Sequence, residues 1–594
     1  MNRLSHTYNQ NWDLDSFFKG GSQSEEFKKF LQDLSNTLEQ KEQDVSALQQ
    51  NPKEWISILE GLQETAKKVR EAGAFVGCLN AQNIHDTQAK QLNGKVKEIS
   101  TAYTTVMSSV DEKLIAMSET EWSELLKEQE IQNIQFSLEE RRQRASEKLS
   151  TSEEKLAQAL SIDGYHAWAD MYNHLVGKMT IPFEENGEPV ALSVGQAENK
   201  MNSSQRDVRK DAFTRWEQSW SNEEELFAAT LNHLSGFRLN LYNKRGWTNV
   251  LKEPLDYNRM SEQTLDAMWD TITKNKHRFL PYLKKKAELI GVEQLAWYDV
   301  HAPISKAESL VSFEEAAETI IAQFGQFSPK MADFTKMTFE KNWIEAENRA
   351  GKRPGAFCTS FPASEETRVF MTYDGTPSNV ATLAHELGHA YHQHVMNDLP
   401  QFKQNYAMNV AETASTFAEM IIADAAVKEA KSKEETIALL DNKIGRGVAF
   451  FMNIHSRFLF ETRFYEKRKE GLLTAAQLNE LMVSAQKEAY CEALSEYHPH
   501  FWAAKLHFHI TGVPFYNFPY TFGYLFSLGV YAQALKKGTA FEDDYIALLR
   551  DTGSMTVEEL ATKHLQVDLT SPQFWQEAID IVCRDVEEFM SIVE

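Results

Sequence analysis

The stretch "ATLAHELGHAYHQH", from Ala381 to His394, places four histidines and one glutamate within one short segment rich in helix-forming residues. Residues four apart on an α-helix lie about 40° apart around its axis and about 6 Å apart along it. His385 and His389 can therefore direct two imidazole nitrogens at one point, which suits tetrahedral zinc. Glu386 lies one step round the helix, where it can act as general base toward a water molecule on the metal. The pattern H-E-x-x-H thus predicts a metal site.

The residues before this helix predict a strand and a tight turn. "TRVFMTY" (Thr367–Tyr373) is rich in β-branched and aromatic residues, which favour strands. An Asp-Gly turn follows, and Ser378 is a suitable N-cap for the next helix. The strand has two possible roles, which the sequence leaves open. It is either an exposed edge that pairs with an extended peptide, or a strand paired on both sides within a small sheet.

A catalytic zinc ion usually takes a third protein ligand and leaves one position open. His392 and His394 are both displaced round the helix from the first two histidines, so we expect them to lie behind the site or at the surface. A carboxylate from the following predicted helix, Asn409–Ala426, is the better candidate. Glu412 and Glu419 are seven residues apart and share one face of that helix. Spacing alone does not choose between them, but the small residues that flank Glu412 favour it.

Composition restricts the classes of protein to which the chain can belong. The 594 residues are 42% hydrophobic and 25% charged, and the net charge is -24. This charge argues against a nucleic-acid partner, and solubility is its simplest explanation. No apolar run approaches the roughly 20 residues of a membrane span. The first residues lack the pattern of a secretory signal, and the four cysteines are widely spaced, as expected for reduced thiols in a cytoplasmic protein.

Helical periodicity dominates the chain. Apolar residues recur at three- and four-residue spacing through about residue 175. Asn186-Gly187, between two short apolar runs, predicts a β-hairpin and a boundary between two portions of the chain. Helical patterning resumes after it. We therefore expect a mainly α fold, with a helical N-terminal portion over 1–190 and the metal site in a second portion over 191–594.

A second informative segment runs from Lys505 to Leu535 and contains two histidines and four tyrosines. Glycines and prolines interrupt it, so we expect its tyrosines to lie on a loop. Most of its phenylalanines fit an ordinary aromatic core. Tyrosine hydroxyls need partners, and a loop of this kind can hold them at the wall of a cavity.

"HELGHAYH" followed by "AETAS" resembles the thimet oligopeptidase and oligoendopeptidase F family of zinc metallopeptidases, and within it the bacterial oligoendopeptidase F branch. The resemblance covers roughly residues 195 to 590 and, more weakly, the helical N-terminal part. It implies that Glu412 is the third zinc ligand, with one zinc ion per chain. It also implies a mainly α, zincin-type metallopeptidase fold with a small β-sheet beside the metal-binding helix. The helical N-terminal portion would enclose a deep channel.

The same resemblance assigns the Lys505–Leu535 segment to the reaction. It implies that His507, Tyr520 and Tyr524 lie at the site and stabilise the oxyanion together with zinc. Neutral donors such as these share the charge that develops on a tetrahedral oxyanion. His509 and Tyr516 are close enough in sequence to be alternatives.

The function that these features imply is a zinc-dependent endopeptidase that hydrolyses internal bonds of short, unstructured oligopeptides. A peptide-binding protein without catalysis is one alternative, but Glu386 and all three expected ligands are present. An aminopeptidase is another, yet we find no acidic motif before the metal helix that would anchor a free amine. The sequence does not specify an oligomeric state.

Overall fold

The computed structural model describes residues 8–49, 51–185, 187–304 and 310–594, and these residues are mainly helical, as predicted. The N-terminal segment contains α1 (Glu25–Ala47), α2 (Pro52–Gln82), α3 (Thr87–Ala116), α4 (Glu119–Leu125), α5 (Gln129–Gln132) and α6 (Gln135–Ser146). The next segment contains α7 (Thr151–Ser161), α8 (Ala167–Lys178), β1 (Thr180–Glu185), β2 (Glu188–Ser193), α9 (Val194–Lys200), α10 (Arg206–Asn222), α11 (Glu224–Lys244), α12 (Lys252–Tyr257), α13 (Glu262–Asn275) and α14 (Leu280–Ile290).

The remaining elements surround and follow the predicted metal helix. Before and around it lie α15 (Phe313–Phe327), α16 (Pro329–Glu340), β3 (Ile344–Glu345), β4 (Phe357–Phe361), β5 (Glu366–Phe370), α17 (Pro377–His394), α18 (Met408–Ala411) and α19 (Thr413–Glu429). After it come α20 (Lys433–Val448), α21 (Ile454–Arg468), α22 (Ala475–Ala489), α23 (Phe501–Ala504), α24 (Phe518–Lys537), α25 (Glu542–Asp551), α26 (Val557–Leu565) and α27 (Pro572–Val593).

These elements form two compact units, each assembled from segments that are not adjacent in the chain. The first unit comprises Met1–Lys148, Glu308–Ala425 and Gln533–Gln566. The second unit comprises Leu149–Ala307, Ala426–Ala532 and Val567–Glu594. These units, defined by packing, differ from the predicted portions 1–190 and 191–594. The division into those two portions stays a prediction.

In the first unit, α1 shows why the N-terminal segment is helical. The side chain of Ser24 caps the helix by accepting a hydrogen bond from the backbone N–H of Phe27 at 3.2 Å. Leu31, Leu34 and Leu38 then follow Phe27 at helical spacing, and all of them are buried. Side chains three and four residues apart share one face, so this face packs into the core.

The small sheet of the first unit has the order β3-β5-β4, so β5 is its central strand. The predicted strand therefore exists, over Glu366–Phe370, and it is paired on both sides. β3 pairs with it in parallel, and β4 pairs with it in antiparallel register. The suggestion that this strand is an exposed edge is wrong. Its partner β4 is an edge strand instead, and it comes from a Pro- and Gly-punctuated stretch that does not show strand periodicity.

Two local predictions met different outcomes. The hairpin is confirmed, because β1 and β2 pair antiparallel; Asn186 of its turn lies outside the described residues, and Gly187 has a φ of 81°. The N-cap of the metal helix is Thr376 and not Ser378. Pro377 is the first helical residue, where its missing N–H costs nothing, so the capping position falls one residue before the proline.

The four cysteines are all free, as expected. Cys78 and Cys583 are buried, Cys358 is half-buried and Cys491 is exposed. None of the helices in the described ranges is both long and apolar enough to span a bilayer.

Candidate metal centre and the aromatic segment

Helix α17 brings the two histidines of the motif together on one face. The rings of His385 and His389 lie 4.9 Å apart between centroids and are nearly perpendicular. Both side chains are about one quarter exposed, at 24% and 22%. This placement leaves two imidazole nitrogens accessible from outside the core, as a ligand-binding pair requires.

Glu412 completes the cluster from the junction between α18 and α19. Its Oε2 lies 3.2 Å from Nε2 of His385 and 3.4 Å from Nε2 of His389. One ligand atom from each of the three residues falls within 4.8 Å of the others. Ser415 donates a hydrogen bond from its hydroxyl to the same carboxylate oxygen at 2.7 Å. Burial alone would raise the pKa of Glu412, but the two histidines outweigh it and hold that pKa well below its usual range.

Glu419, the other candidate, contacts the opposite side of His385. Its Oε2 lies 3.1 Å from Nδ1 of His385, while Nε2 of the same ring faces Glu412. A carboxylate on the far nitrogen fixes the orientation and tautomer of a metal-binding histidine. The seven-residue spacing that made the two glutamates hard to distinguish therefore gives each of them a contact with His385.

Gly388 is a residue of the site that the sequence analysis missed. A Cβ at this position would lie 2.5 Å from the carbonyl oxygen of Ala414 and 2.6 Å from Cα of Ser415. Only glycine permits so close an approach of α17 to α19. The glycine inside H-E-x-x-H was the available signal, since glycine within a helix is unfavourable unless packing requires it.

Glu386 is only 6% exposed and lies beside the three candidate ligands. Its Oε2 is buried and has no hydrogen-bond partner among the described residues. Burial raises the pKa of this carboxyl, whereas the nearby His389 and His385 lower it. A buried carboxylate oxygen without a partner is costly, and such a group is a candidate for function.

The last two histidines of the motif do not join the cluster. His392 is fully buried; its Nε2 lies 2.9 Å from the hydroxyl oxygen of Thr552, and its ring stacks on Tyr406 at 4.3 Å. His394 stacks on Phe334 at 4.5 Å. His392 was expected either behind the site or at the surface, and it lies behind the site. Its contacts anchor α17 to the core.

In the second unit, His507 lies within a polar and aromatic cluster. Its ring stacks on Tyr516 at 4.9 Å, and Tyr520 follows at 6.4 Å. Its Nδ1 lies 2.9 Å from the side-chain oxygen of Asn517 and 3.2 Å from an amino group of Arg457. Burial, together with the charge of Arg457, lowers the pKa of His507 to about 4, so the ring is neutral at pH 7.

These two contacts allow two neutral tautomers of His507. If Nδ1 accepts from Arg457, the proton is on Nε2, which is then a donor. If Nδ1 donates to Asn517, Nε2 is an acceptor. A role as donor to an oxyanion requires the first tautomer.

The alternative histidine, His509, is a core residue. It is fully buried, its Nε2 lies 3.2 Å from the backbone oxygen of Trp502, and its ring stacks on Tyr172 at 4.0 Å. Burial lowers its pKa to about 3. Between the two histidines, the structure therefore favours His507 for an accessible role.

The tyrosines are not all on a loop, as the sequence had suggested. Tyr520 and Tyr524 lie in α24, one turn apart, whereas Tyr516 precedes the helix. Pro519 falls in the first turn of this helix, where proline is well tolerated, so it does not interrupt the helix. Tyr524 is only 6% exposed and stacks on Phe450 at 4.4 Å.

The segment between His507 and Tyr516 is held by polar groups of the same unit. The backbone N–H of Phe515, whose φ is 52°, donates to Glu461 at 3.2 Å. The hydroxyl of Tyr165 donates to the backbone oxygen of Thr511 at 2.9 Å. Burial raises the pKa of Glu461 to about 8.

Comparisons with known proteins find peptidases that match most of this chain. An oligoendopeptidase F homologue of Lactococcus lactis is 24% identical over 100% of this chain and 99% of its own length. The oligopeptidase PepF of Bacillus subtilis is 25% identical, over 85% of this chain and 75% of its own. The structure of oligoendopeptidase F from Enterococcus faecium has a TM-score of 0.70 at 19% identity, covering 96% of this chain and 99% of that one.

Two family models match the sequence, each over a different part of it. "Oligopeptidase F" matches residues 113–181, and "Peptidase family M3" matches residues 200–581. The resemblance seen in the motifs is thereby confirmed, and peptide hydrolysis is the activity of the family. The chain belongs to peptidase family M3.

Proposed function

We propose that this peptidase is a zinc-dependent endopeptidase that cuts internal bonds of short, unstructured oligopeptides in the cytoplasm. The observation that carries the proposal is the cluster of His385, His389 and Glu412, whose ligand atoms lie within 4.8 Å of one another beside the buried carboxylate of Glu386. Two imidazoles and one carboxylate form a ligand set of catalytic zinc sites, which keep a fourth position open.

The residues present fit one zinc ion per chain. His385 and His389 would supply Nε2 and Glu412 would supply Oε2, since these atoms already converge. Glu419 would hold His385 from its other nitrogen. A zinc ion bound there would act as a Lewis acid toward the peptide carbonyl and would make water more acidic.

Glu386 has the position and environment of a general base. In this proposal it takes a proton from the attacking water and later delivers the proton to the nitrogen of the leaving amine. Burial raises its pKa, which brings the carboxyl closer to the range in which it can both accept and release a proton. Its partnerless oxygen is available for that proton.

His507, Tyr520 and Tyr524 are proposed as donors to the oxyanion on the strength of the family resemblance. Within the second unit His507 and Tyr520 belong to one cluster, and Tyr524 lies one turn further along α24. Their N–H and O–H groups would form stronger hydrogen bonds as the carbonyl oxygen becomes charged, which is how such donors accelerate acyl transfer.

The substitution Glu386→Gln tests this function. It should abolish nearly all turnover of a quenched fluorescent peptide while one equivalent of zinc remains bound, because the amide keeps the shape of the side chain but cannot accept a proton. Zinc content and circular dichroism provide the controls. Retained turnover at full zinc occupancy would remove Glu386 from the proposed role.

Products distinguish the endopeptidase from other peptidases. A mixed library should yield internal cuts in peptides of about 5 to 20 residues, the range expected if extended chains enter an enclosed site. Folded proteins should survive. Mass spectrometry that finds only single amino acids released from the N-terminus would favour an aminopeptidase. Rapid digestion of full-length casein would contradict an enclosed site.

A further inference from the structure

A groove of about 500 Å³ lies in the first unit between α2 and the edge strand β4. Gly73 and Gly77, one turn apart on α2, line one side of it and are exposed. A Cβ at either position would meet no heavy atom within 4 Å. Phe357 and Cys358 of β4 line the other side. Because these two glycines have no side chains, an extended chain could approach the backbone of α2 closely here.

β4 has a free edge in the described chain. β5 pairs with it on one side, and no other described strand pairs with it. An exposed strand edge offers backbone N–H and C=O groups to an extended peptide. The groove therefore combines a strand edge with an open helical wall, a shape suited to a peptide without secondary structure.

The charge of the groove is opposite to that of the chain as a whole. Arg70 and Arg353 both line it, and none of the described residues that line it is acidic. Arg70 donates from Nε to the hydroxyl of Ser360 at 2.7 Å, and Arg353 lies over the ring of Phe357 at 5.3 Å. In the described part of the chain neither arginine has a carboxylate partner within ion-pair distance, although the net charge is -24.

The groove is connected to the metal centre within the same unit. β4, which lines it, packs against the metal helix α17. Asn405 also lines the groove, and the next residue, Tyr406, stacks on His392 of α17. A peptide that lies along the groove would thus run beside the elements that carry the candidate ligands.

We propose that this groove binds a carboxylate of the peptide substrate, with Arg70 and Arg353 as its partners, so that the enzyme selects acidic peptides. The carboxylate belongs either to an Asp or Glu side chain or to the C-terminus of the peptide. A guanidinium matches a carboxylate in both charge and geometry. The role of the groove in substrate selection rests on the proposed endopeptidase function, whereas its preference for carboxylates is a binding property that can be measured separately.

Binding is measured on the zinc-loaded Glu386→Gln variant by isothermal titration calorimetry, so that no turnover is needed. The probes are alanine-rich peptides of about ten residues, blocked at both ends, with one Glu at successive positions and a matched Gln series. A third arm has a free C-terminal carboxylate and no Glu. Two exposed ion pairs should favour a carboxylate by about five- to tenfold at one position. Equal affinity for all three arms overturns the proposal, and the arm that binds best identifies the source of the carboxylate.

Charge reversal identifies the partners. Arg70→Glu and Arg353→Glu should remove the preference for Glu and create one for Lys at the same peptide position. Lys68→Glu is the matched control, because Lys68 is exposed on the same helix but does not line the groove. It should leave the preference intact. If Lys68→Glu has the same effect as the arginine variants, the preference reflects only the net charge and the proposal is wrong.

Filling the groove tests its location. Gly77→Leu should weaken binding of the Glu and Gln peptides alike, whereas Gly94→Leu, at an exposed glycine of α3 with open space around it, should not. Both variants replace a helical glycine, so lost stability does not explain a difference. Unchanged binding in Gly77→Leu places the peptide elsewhere and overturns the proposal. Selective binding without cleavage in the wild-type enzyme would refute the proposed function and leave the groove assignment standing.

Discussion

Glu412 lies at the N-terminal junction of α19, and Glu419 lies within α19. The two glutamates make different contacts, and His385 lies between them. Glu412 faces Nε2 of His385 and of His389, whereas Glu419 faces Nδ1 of His385. A ligand supplies the metal with an electron pair directly. A carboxylate on the far nitrogen acts through the ring, by fixing its tautomer and raising its basicity. The effects of removing the two groups should therefore differ in size.

Glu412→Gln should lower zinc affinity by more than about 100-fold, because it removes a charged ligand, and Glu419→Gln should lower it by about 10- to 100-fold. Competition with a chromophoric chelator measures both. Circular dichroism shows whether each variant remains folded. A larger loss in Glu419→Gln than in Glu412→Gln would mean that the assignment of ligand and supporting residue is reversed.

Tyr524 allows a test of chemistry against packing at one residue. Tyr524→Phe should lower kcat by about 10²- to 10³-fold with KM little changed, since a donor of this kind acts mainly in the transition state. The ring would still stack on Phe450, so thermal stability and zinc content should stay near wild type.

Tyr531→Phe is the control for that experiment. Tyr531 lies two turns further along the same helix and, like Tyr524, is only 6% exposed. Its change to Phe removes the same hydroxyl group. It should keep wild-type kcat. A normal kcat in Tyr524→Phe would exclude it from the mechanism and direct attention to Tyr520 or Tyr516.

At the scale of elements, the position of Glu412, the proposed third ligand, depends on how closely α17 and α19 approach each other. Gly388 makes the approach possible, because any side chain there would overlap the backbone of Ala414 and Ser415. Gly388→Ala should lower the free energy of unfolding by about 1–3 kcal/mol, as expected for overpacking, and should weaken zinc binding by moving Glu412 away from the histidines.

Gly445→Ala is the matched control in denaturant titrations. Gly445 lies in α20, and a Cβ there would meet no heavy atom within 4 Å. Alanine should therefore stabilise the protein by about 0.5–1 kcal/mol, the usual gain in a helix interior. If Gly388→Ala is as harmless as Gly445→Ala, close helix packing does not determine the geometry of the ligands.

The same elements show which features of the fold and the site could be predicted from the sequence. His385, Glu386 and His389 could be predicted because the geometry of a single helix fixes their spacing. The choice between Glu412 and Glu419 could not, because it depends on the distance between two helices. The strand at Thr367–Tyr373 was predictable from its residues, but its central place depends on β4, whose own residues gave no strand signal. Pairing and packing between distant segments determine such features, and local periodicity does not report them.

At the scale of the whole molecule, the two units contain different charge-dependent clusters. In the second unit, Nδ1 of His500 lies 2.6 Å from Glu217 and its Nε2 lies 2.9 Å from Glu224. Burial would lower the pKa of His500, but the two carboxylates raise it above its ordinary value. Burial would likewise raise the pKa of Glu217, but His498 and His500 lower it to about 2.

The directions of these two pKa shifts define the pH range in which the cluster stabilises the folded chain. The pKa of His500 is higher in the folded chain, so its contribution is complete below about pH 6.5 and is lost as the pH rises through the folded value. The pKa of Glu217 is lower in the folded chain, so its contribution is present above about pH 4.5 and is lost as the pH falls toward 2. The cluster should therefore stabilise the second unit most between about pH 4.5 and 6.5.

Hydrogen exchange can follow both units in one experiment, because zinc removal and a rise in pH act on different clusters. A ligand that binds only the folded state stabilises it, so a chelator should speed exchange in α17 and α19. Raising the pH from about 6 to about 9 should, after correction for intrinsic rates, speed exchange in α10 and α11, which contain Glu217 and Glu224. His500→Gln should abolish the second effect and leave the first. If the pH response of α10 and α11 persists in that variant, the His500 cluster is not its source.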